Sequence, residues 1–204
     1  MDEALEVRRF WFGRLPLKPE GVSARLALWF GTGTDEHQAD EQVRLRFGPL
    51  IERAVAGELA AWADSPRRRL SLILLLDQFP RHVYRGSERA FATDREALQL
   101  TLSGMQSAAD AALTPVERIF FYMPLQHTEL RDAQEESVAA YRRLVNEAPA
   151  ELSEMFSSAL EAAEEHRSIV ARFGRFPHRN RVLGRANSAD EEAYLRRGSS
   201  NFGQ

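Results

Sequence analysis

The segment SPRRRLSLILLLDQFPRHVYRG (residues 65–86) decides the fold of this 204-residue chain. Ser65-Pro66 is a helix start signal, because serine caps helix N-termini and proline is favoured at the first helical position. The helix that follows is apolar on every side at its middle, LILLL (72–76). A surface helix has one apolar stripe, so this helix is predicted to be central and enclosed, and to end at Pro80.

Helix signals dominate on both sides of this segment. A capping box begins a short helix at Thr114, which Pro124 is predicted to end, and Gly48-Pro49 is predicted to break or kink an earlier helix. Gly174 is placed to end the last long helix. No run alternates apolar and polar residues between turn signals, so no strand is predicted. Since the connections are mostly short, successive helices should pack as antiparallel hairpins in one domain, residues 1–204, with a disordered tail at 198–204.

Composition excludes several classes of function. The net charge is −3 and Lys18 is the single lysine, so neither nucleic acid nor an anionic membrane is an expected partner. There is no cysteine, which rules out disulfides, thiolate catalysis and cysteine metal sites. The N-terminus lacks the pattern of a secretory signal, and the longest apolar run is too short to span a bilayer. A cytoplasmic location is therefore expected.

Six segments together resemble one bacterial family. They are FWFG (10–13), RFGPL (46–50), LILLLDQFPRHVYRG (72–86), AFATD (90–94), ERIFFYMPLQHTE (117–129) and HRSIVARFGRFPHRNRVLGR (166–185). In this order they resemble the bacterial domain-of-unknown-function family 924. The resemblance implies an all-α, tetratricopeptide-like right-handed superhelical array and implies no activity. His82 stands where asparagine is common in the family, and Thr128 where serine is common.

Asp77 is the polar residue that most needs an explanation. It follows LILLL, where burial disfavours its charge and the negative end of the helix dipole repels it. A buried carboxylate is normally paired, so we expect a partner in Arg81, Arg85 or the segment 172–185. Asp77 is then either part of an architectural ion pair or an acid–base group in a cleft.

The segment RFGRFPHRN (172–180) is the strongest candidate for binding a ligand. Arginine recognises phosphates and carboxylates through its planar fork, so this basic segment could form a preorganised anion site. It could equally neutralise Asp77, Asp94, Glu117 and Glu129 and so attach the C-terminal loop to the helices. The candidate ligand-binding residues are Arg81, Tyr84, Arg85, Arg172, Arg175, His178, Arg179, Asn180 and Arg185.

Histidines supply the candidate acid–base groups. The candidate catalytic residues are His127, Glu129, His166, His178 and Asp77. No spacing typical of a metal site is present, so no metal or other cofactor is expected. An imidazole titrates near neutrality, which suits general acid–base chemistry. His37 and His82 are interpreted as surface residues.

These residues leave three functional hypotheses open. The first is a binding module that holds an anionic small molecule or an acidic peptide in a concave pocket lined by arginine, histidine and tyrosine. The second is an enzyme that uses a histidine–carboxylate pair on an anionic substrate. The third is a structural or assembly protein in which the polar cluster is architecture. A pocket that contains a histidine bonded to a carboxylate would favour the enzyme.

Overall fold

The computed structural model describes residues 2–30 and 36–198. This part of the chain is helical, contains no β-strand and forms a single domain, as the sequence predicts. The α-helices are α1 (Glu3–Phe12), α2 (Pro19–Ser23), α3 (Leu26–Phe30), α4 (Glu36–Val55), α5 (Pro66–Ile73), α6 (Phe79–Val83), α7 (Asp94–Gln106), α8 (Pro115–His127), α9 (Arg131–Glu147), α10 (Ser153–Phe173) and α11 (Ala189–Arg196). The tail predicted to be disordered lies outside the described residues from 199 onward.

Helix α5 and the segment after it form the centre of the molecule, as predicted. Residues 70–80 are all buried. Helices α1, α7 and α8 pack around α5. The rings of Phe79 and Phe120 both lie 5.5 Å from that of Trp11, centroid to centroid. Burial of each large apolar side chain contributes about 1.5–3 kcal/mol, so this aromatic cluster holds the N-terminal helix on the core.

Pro80 does not end the central helix, and the prediction of a stop there is wrong. The backbone widens to a π-helix over Leu74–Gln78 and continues directly into α6. Proline removes the N–H that would bond to the carbonyl of the residue four before it, here Leu76. The Thr93 hydroxyl donates to that carbonyl oxygen at 2.6 Å. A side chain from beyond α6 therefore replaces the lost donor, and the chain stays helical.

Pro124 does not end α8 either, since that helix continues to His127. Hydroxyl groups of other helices donate to the carbonyls on both sides of Phe120, the residue four before Pro124. The donors are Tyr141, to Ile119 at 2.7 Å, and Thr101, to Phe121 at 2.9 Å. These bonds hold the helix together around the proline, and His127 is consequently part of a helix.

Pro49 lies inside α4, so of the predicted break or kink at Gly48-Pro49 the break does not occur. The carbonyl that loses its helical donor belongs to Leu45, whose residue is 74% exposed. Water can satisfy a carbonyl on the exposed side of a helix, which makes the proline tolerable there. The described residues contain no helix long and apolar enough to cross a membrane.

Gly174 ends α10 as predicted, with φ at 72°, a left-handed conformation that glycine adopts without strain. The chain then turns back toward the core. Phe176 is fully buried and forms a small second apolar cluster with Ile169 and Val170. This return of the chain brings the basic segment against α8.

Candidate functional site

A buried cluster of alternating charges surrounds Asp77. The Arg81 guanidinium lies 3.4 Å from an Asp77 carboxylate oxygen and 2.9 Å from an Asp94 carboxylate oxygen. Arg179, which is 4% exposed, binds Asp94 at 3.3 Å from the other side. Two carboxylates thus face two guanidinium groups, and their formal charges cancel. Such pairing is what makes burial of these charges tolerable.

Asp77 also forms a hydrogen-bonded pair with His127. The Nδ1 atom of His127 lies 2.8 Å from Oδ1 of Asp77, and the Gln78 amide donates to Oδ2. A carboxylate accepts, so Nδ1 carries the proton and Nε2 carries the lone pair of the neutral ring. Arg179 donates to the His127 carbonyl oxygen at 2.8 Å. Both ends of the histidine are therefore held in place.

The surroundings keep His127 neutral and Asp77 ionised. Burial lowers the pKa of His127, and the positive charge of Arg81 lowers it further, against the opposing effect of Asp77. Burial raises the pKa of Asp77, but Arg81 and His127 together outweigh it and leave the pKa below its ordinary value. Burial raises the pKa of Asp94, even though Arg81 and Arg179 lie beside it. An ionised Asp77 beside a neutral His127 imidazole is an arrangement that can act as a general base.

His127 lines a pocket of about 850 Å³ between α2 and α3, the segment 78–85, α8 and α10. The lining combines polar and apolar residues. The polar lining residues are Ser23, Gln78, Arg81, His82, Arg85, Gln126, His127, Glu151, Glu154, Ser158 and His166. The apolar walls include Val22, Leu26, Trp29, Phe30, Met123 and Met155. The volume lies within the usual range of small-molecule sites.

A second carboxylate–histidine pair borders the same pocket. Nδ1 of His82 lies 2.7 Å from Oδ1 of Asp40, and Arg85 binds both oxygens of that carboxylate at 2.9 and 3.0 Å. Burial raises the pKa of Asp40, but the bonds from His82 and Arg85 lower it to about 2. The interpretation of His82 as a surface residue is wrong, because it is 6% exposed and packs edge-on against Trp11.

His166 is the third histidine of the pocket lining. Its Nδ1 donates to the carbonyl oxygen of Ala162 at 2.7 Å, within α10. Burial lowers the pKa of His166 to about 3, and the charge that would develop on His127 acts in the same direction. The ring centroids of His127 and His166 are 6.1 Å apart. His166 is therefore a neutral hydrogen-bonding group near His127 at every physiological pH.

Most of the predicted arginine site forms a different structure, which we call the C-terminal clasp (residues 174–191). Arg185 binds both oxygens of Glu129 at 2.8 and 2.9 Å, and Arg175 binds both oxygens of Glu191 at 2.6 and 2.8 Å. The fully buried Asn180 accepts from Arg185 at 2.9 Å. These bonds attach the C-terminal segment to the connection between α8 and α9 and to α11, and none of these residues lines the pocket.

Three further candidates also lie away from the pocket lining. Tyr84 donates its hydroxyl proton to Glu52 on α4. Arg172 is exposed, with its guanidinium 4.6 Å from the centroid of the Phe173 ring. His178 packs beside Phe176 in the clasp, with ring centroids 5.5 Å apart. Of the predicted residues, the pocket brings together Arg81, Arg85, His127 and His166.

Sequence reasoning missed Asp40 and the pairing of His82. One signal was available for His82, since it follows Gln78 by four residues on the central helix and therefore shares its face. Asp40 is 42 residues from His82, and no local pattern marks such a partner. Among residues 2–30 and 36–198, no group of three or more histidine, aspartate and glutamate side chains is placed to hold a metal ion.

Comparison with known proteins places this architecture in a family. A family model described as a bacterial protein of unknown function (DUF924) matches residues 7–199. The chain is similar to a solved structure of a protein of unknown function from Agrobacterium tumefaciens, with a TM-score of 0.79 and 33% sequence identity. The similarity covers 96% of this chain and 97% of that one. A search of curated proteins found no match.

Proposed function

We propose a function for this chain, which belongs to the DUF924 family of bacterial proteins, in which the Asp77–His127 pair is the general base of a hydrolytic enzyme. The substrate is a small molecule with an apolar body and an acyl group. The single observation that carries this proposal is a neutral histidine, oriented by a buried carboxylate, on the wall of a pocket of about 850 Å³.

The hydrogen bond from Nδ1 to Asp77 determines which nitrogen of His127 can react. A histidine held in this way presents Nε2 as the base, as it does in hydrolases that use an aspartate–histidine pair. The described residues provide no hydrogen-bond partner for Nε2. No hydroxyl group among them is bonded to it, so water is the nucleophile. Nε2 removes a proton from water as the water oxygen bonds to the acyl carbon, and the bond to the leaving group then breaks.

Arg81 offers a donor for the acyl oxygen. Arg81 lines the pocket together with His127, and its Nη1 and Nη2 atoms bind Asp77 and Asp94. Negative charge develops on the acyl oxygen in the transition state, so a guanidinium donor there would accelerate the reaction.

The apolar walls indicate the body of the substrate. Leu26, Trp29 and Met155 give the pocket an apolar extent far larger than an acetyl group. Each buried CH₂ contributes about 0.8 kcal/mol to binding. Esters with longer acyl chains should therefore bind more tightly than short ones.

The test is hydrolysis of p-nitrophenyl esters from acetate to octanoate. Wild type should hydrolyse them with kcat/KM rising with chain length, and His127→Gln should lose about 10²–10⁴-fold. His178→Gln is the matched control, since His178 lies in the clasp, and it should keep the wild-type rate. If His127→Gln is folded and hydrolyses the esters at the wild-type rate, the proposal is wrong.

A second candidate is the binding of an anion without catalysis, as the sequence suggested for an anionic small molecule or an acidic peptide. The presence of Arg81 and Arg85 in the pocket lining favours it, because a carboxylate is a strong acceptor for a guanidinium. Thermal-shift titrations with octanoate and octanamide separate the two candidates. Stabilisation by octanoate alone, without esterase activity, supports the anion-binding module, whereas the enzyme should bind both compounds.

We also propose that the helices form a tetratricopeptide-like superhelical array. Support comes from the packing of α8 on α9 and of α9 on α10, helices that follow one another through short connections. The structural or assembly role expected as a third alternative would leave the pocket without a ligand. Neither esterase activity nor a thermal shift with either compound would then be observed.

A further inference from the structure

The two carboxylate–histidine pairs of the pocket have the same construction. In each pair Nδ1 of a histidine bonds to an aspartate, at 2.8 Å for His127 and 2.7 Å for His82. In each pair an arginine also lies against the aspartate, Arg81 at 3.4 Å and Arg85 at 2.9 Å. Both histidines line the same pocket.

One stretch of helix contributes to both pairs with the roles exchanged. Residues 77–83 supply the carboxylate of the first pair, Asp77, and the imidazole of the second, His82. The complementary members come from α8 and α4. The two histidines therefore enter the pocket lining from different helices, His127 from α8 and His82 from α6. In the sequence, Arg81 lies between Asp77 and His82.

In the second pair, as in the first, Nε2 of the histidine is not used in the bond to the aspartate. Because Nδ1 of His82 bonds to Asp40, Nε2 is the nitrogen that remains for a ligand. Within residues 2–30 and 36–198, the structure gives this atom no hydrogen-bond partner. An aspartate and an arginine on one side of an imidazole position it firmly, which a residue that only fills space does not require.

We propose that His82 is a second catalytic residue of this pocket, the general acid that protonates the leaving group of the substrate. This inference rests on the proposed hydrolytic function. Water gives one proton to Nε2 of His127 and its oxygen to the acyl carbon. The bond between the acyl carbon and the leaving oxygen or nitrogen breaks, and that atom takes a proton from Nε2 of His82. One water is consumed, and solvent returns the two histidines to their starting protonation states.

The division of roles follows from the surroundings of His127. Burial and Arg81 keep it neutral, so it accepts the first proton. His82, which lines the same pocket and is oriented by Asp40, is the imidazole proposed to deliver the proton. A reaction with an acid on one side and a base on the other suits substrates whose leaving groups are poor, such as alkyl esters and amides, because these leave only when protonated.

Leaving-group dependence tests this role. Two octanoate esters are compared as substrates. The p-nitrophenyl ester releases p-nitrophenolate, which leaves without a proton. The ethyl ester releases ethanol, whose oxygen must be protonated as it leaves. His82→Gln should lose about 10–100-fold in kcat on the ethyl ester and less than about 3-fold on the p-nitrophenyl ester. His127→Gln should lose activity on both, because the attack of water is common to the two substrates.

Each outcome bears on a different proposal. Equal losses on both esters for His82→Gln would mean that His82 acts only through structure, and the inference would be overturned while the hydrolytic function stood. Activity that does not depend on His127 on either ester would overturn the proposed function and the acid role together. Asp40→Asn should reproduce the selective loss in weaker form, since it disturbs the orientation of His82 and leaves its imidazole in place.

Discussion

The pocket and the C-terminal clasp lie on two sides of the same buried cluster, and they use polar side chains differently. In the clasp, Arg175 and Arg185 each bind both oxygens of a carboxylate. In the pocket, His127 and His82 each bind a carboxylate through Nδ1, and no described residue bonds to Nε2. Most of the arginines of the basic segment therefore attach the C-terminal segment, whereas these two histidines line the pocket.

Arg179 connects the two regions, and its removal should have the largest effect on stability. Arg179→Ala leaves the buried Asp94 with one cation fewer and the His127 carbonyl without its donor. We expect the free energy of unfolding to fall by about 3–5 kcal/mol, the usual cost of breaking a buried pair. Urea denaturation at neutral pH measures this change.

Arg172→Ala is the matched control for this change, because Arg172 is exposed and belongs to the same basic segment. It should alter stability by no more than about 0.5 kcal/mol. A loss below 1 kcal/mol for Arg179→Ala would show that the clasp is not held by the buried cluster, and the contrast between the two regions would disappear.

Asp40 tests whether the pocket-side pair also contributes to stability. Its pKa in the folded protein is about 2, below the ordinary value of 3.8. A depressed carboxylate pKa stabilises the folded state above the unfolded value, and this contribution is lost as the pH falls through 4 to 2. Asp40→Asn should therefore cost about 1–2 kcal/mol at pH 7 and progressively less at pH 4 and pH 3.

Urea denaturation of wild type and Asp40→Asn at these three pH values gives the difference directly. The exposed Asp132 provides the control, since Asp132→Asn should leave the pH dependence unchanged. A difference that stays constant from pH 7 to pH 3 would contradict the electrostatic explanation and favour a packing effect.

Ala159→Phe should have the smallest effect on stability and should act on the pocket alone. Ala159 lines the pocket from α10, so a phenyl ring there occupies space that the acyl chain would use. We expect kcat/KM for p-nitrophenyl octanoate to fall at least about 10-fold, with a smaller loss for the acetate. Stability should change by less than about 1 kcal/mol, because the ring enters existing space.

Ala171→Phe on the same helix is the control, since Ala171 is exposed and does not line the pocket. It should change kcat/KM for neither the octanoate ester nor the acetate ester. If Ala159→Phe affects acetate and octanoate equally, the apolar walls do not hold the acyl chain, and the pocket differs from the clasp less than proposed.

The buried charges could be predicted in part from local sequence. Asp77 after an apolar run indicates a paired carboxylate, and Arg81 one helical turn later is within reach of it. The alternative that the basic segment neutralises carboxylates agrees with the contacts of Arg179 and Arg185, although Glu117 binds Arg8 instead. The partner of Asp77 on the pocket side, His127, is 50 residues away.

The prolines show the limit of local reasoning most directly. A proline removes one helical hydrogen bond, and from the sequence alone that loss predicts the end of the helix. At Pro80 the lost donor is replaced by Thr93, which lies 13 residues later, so the helix continues. The continuation matters for the proposed function, because Arg81, His82 and Arg85 line the pocket.

The sequence by itself determined an all-α chain, the buried central helix and the presence of a charged pair within it, because periodicity, capping and burial act over a few neighbouring residues. Tertiary structure alone decided which histidines meet which carboxylates and where the cavity lies. Those contacts join residues 40–50 positions apart, and the energy of a buried pair depends on atoms that only the folded chain brings together.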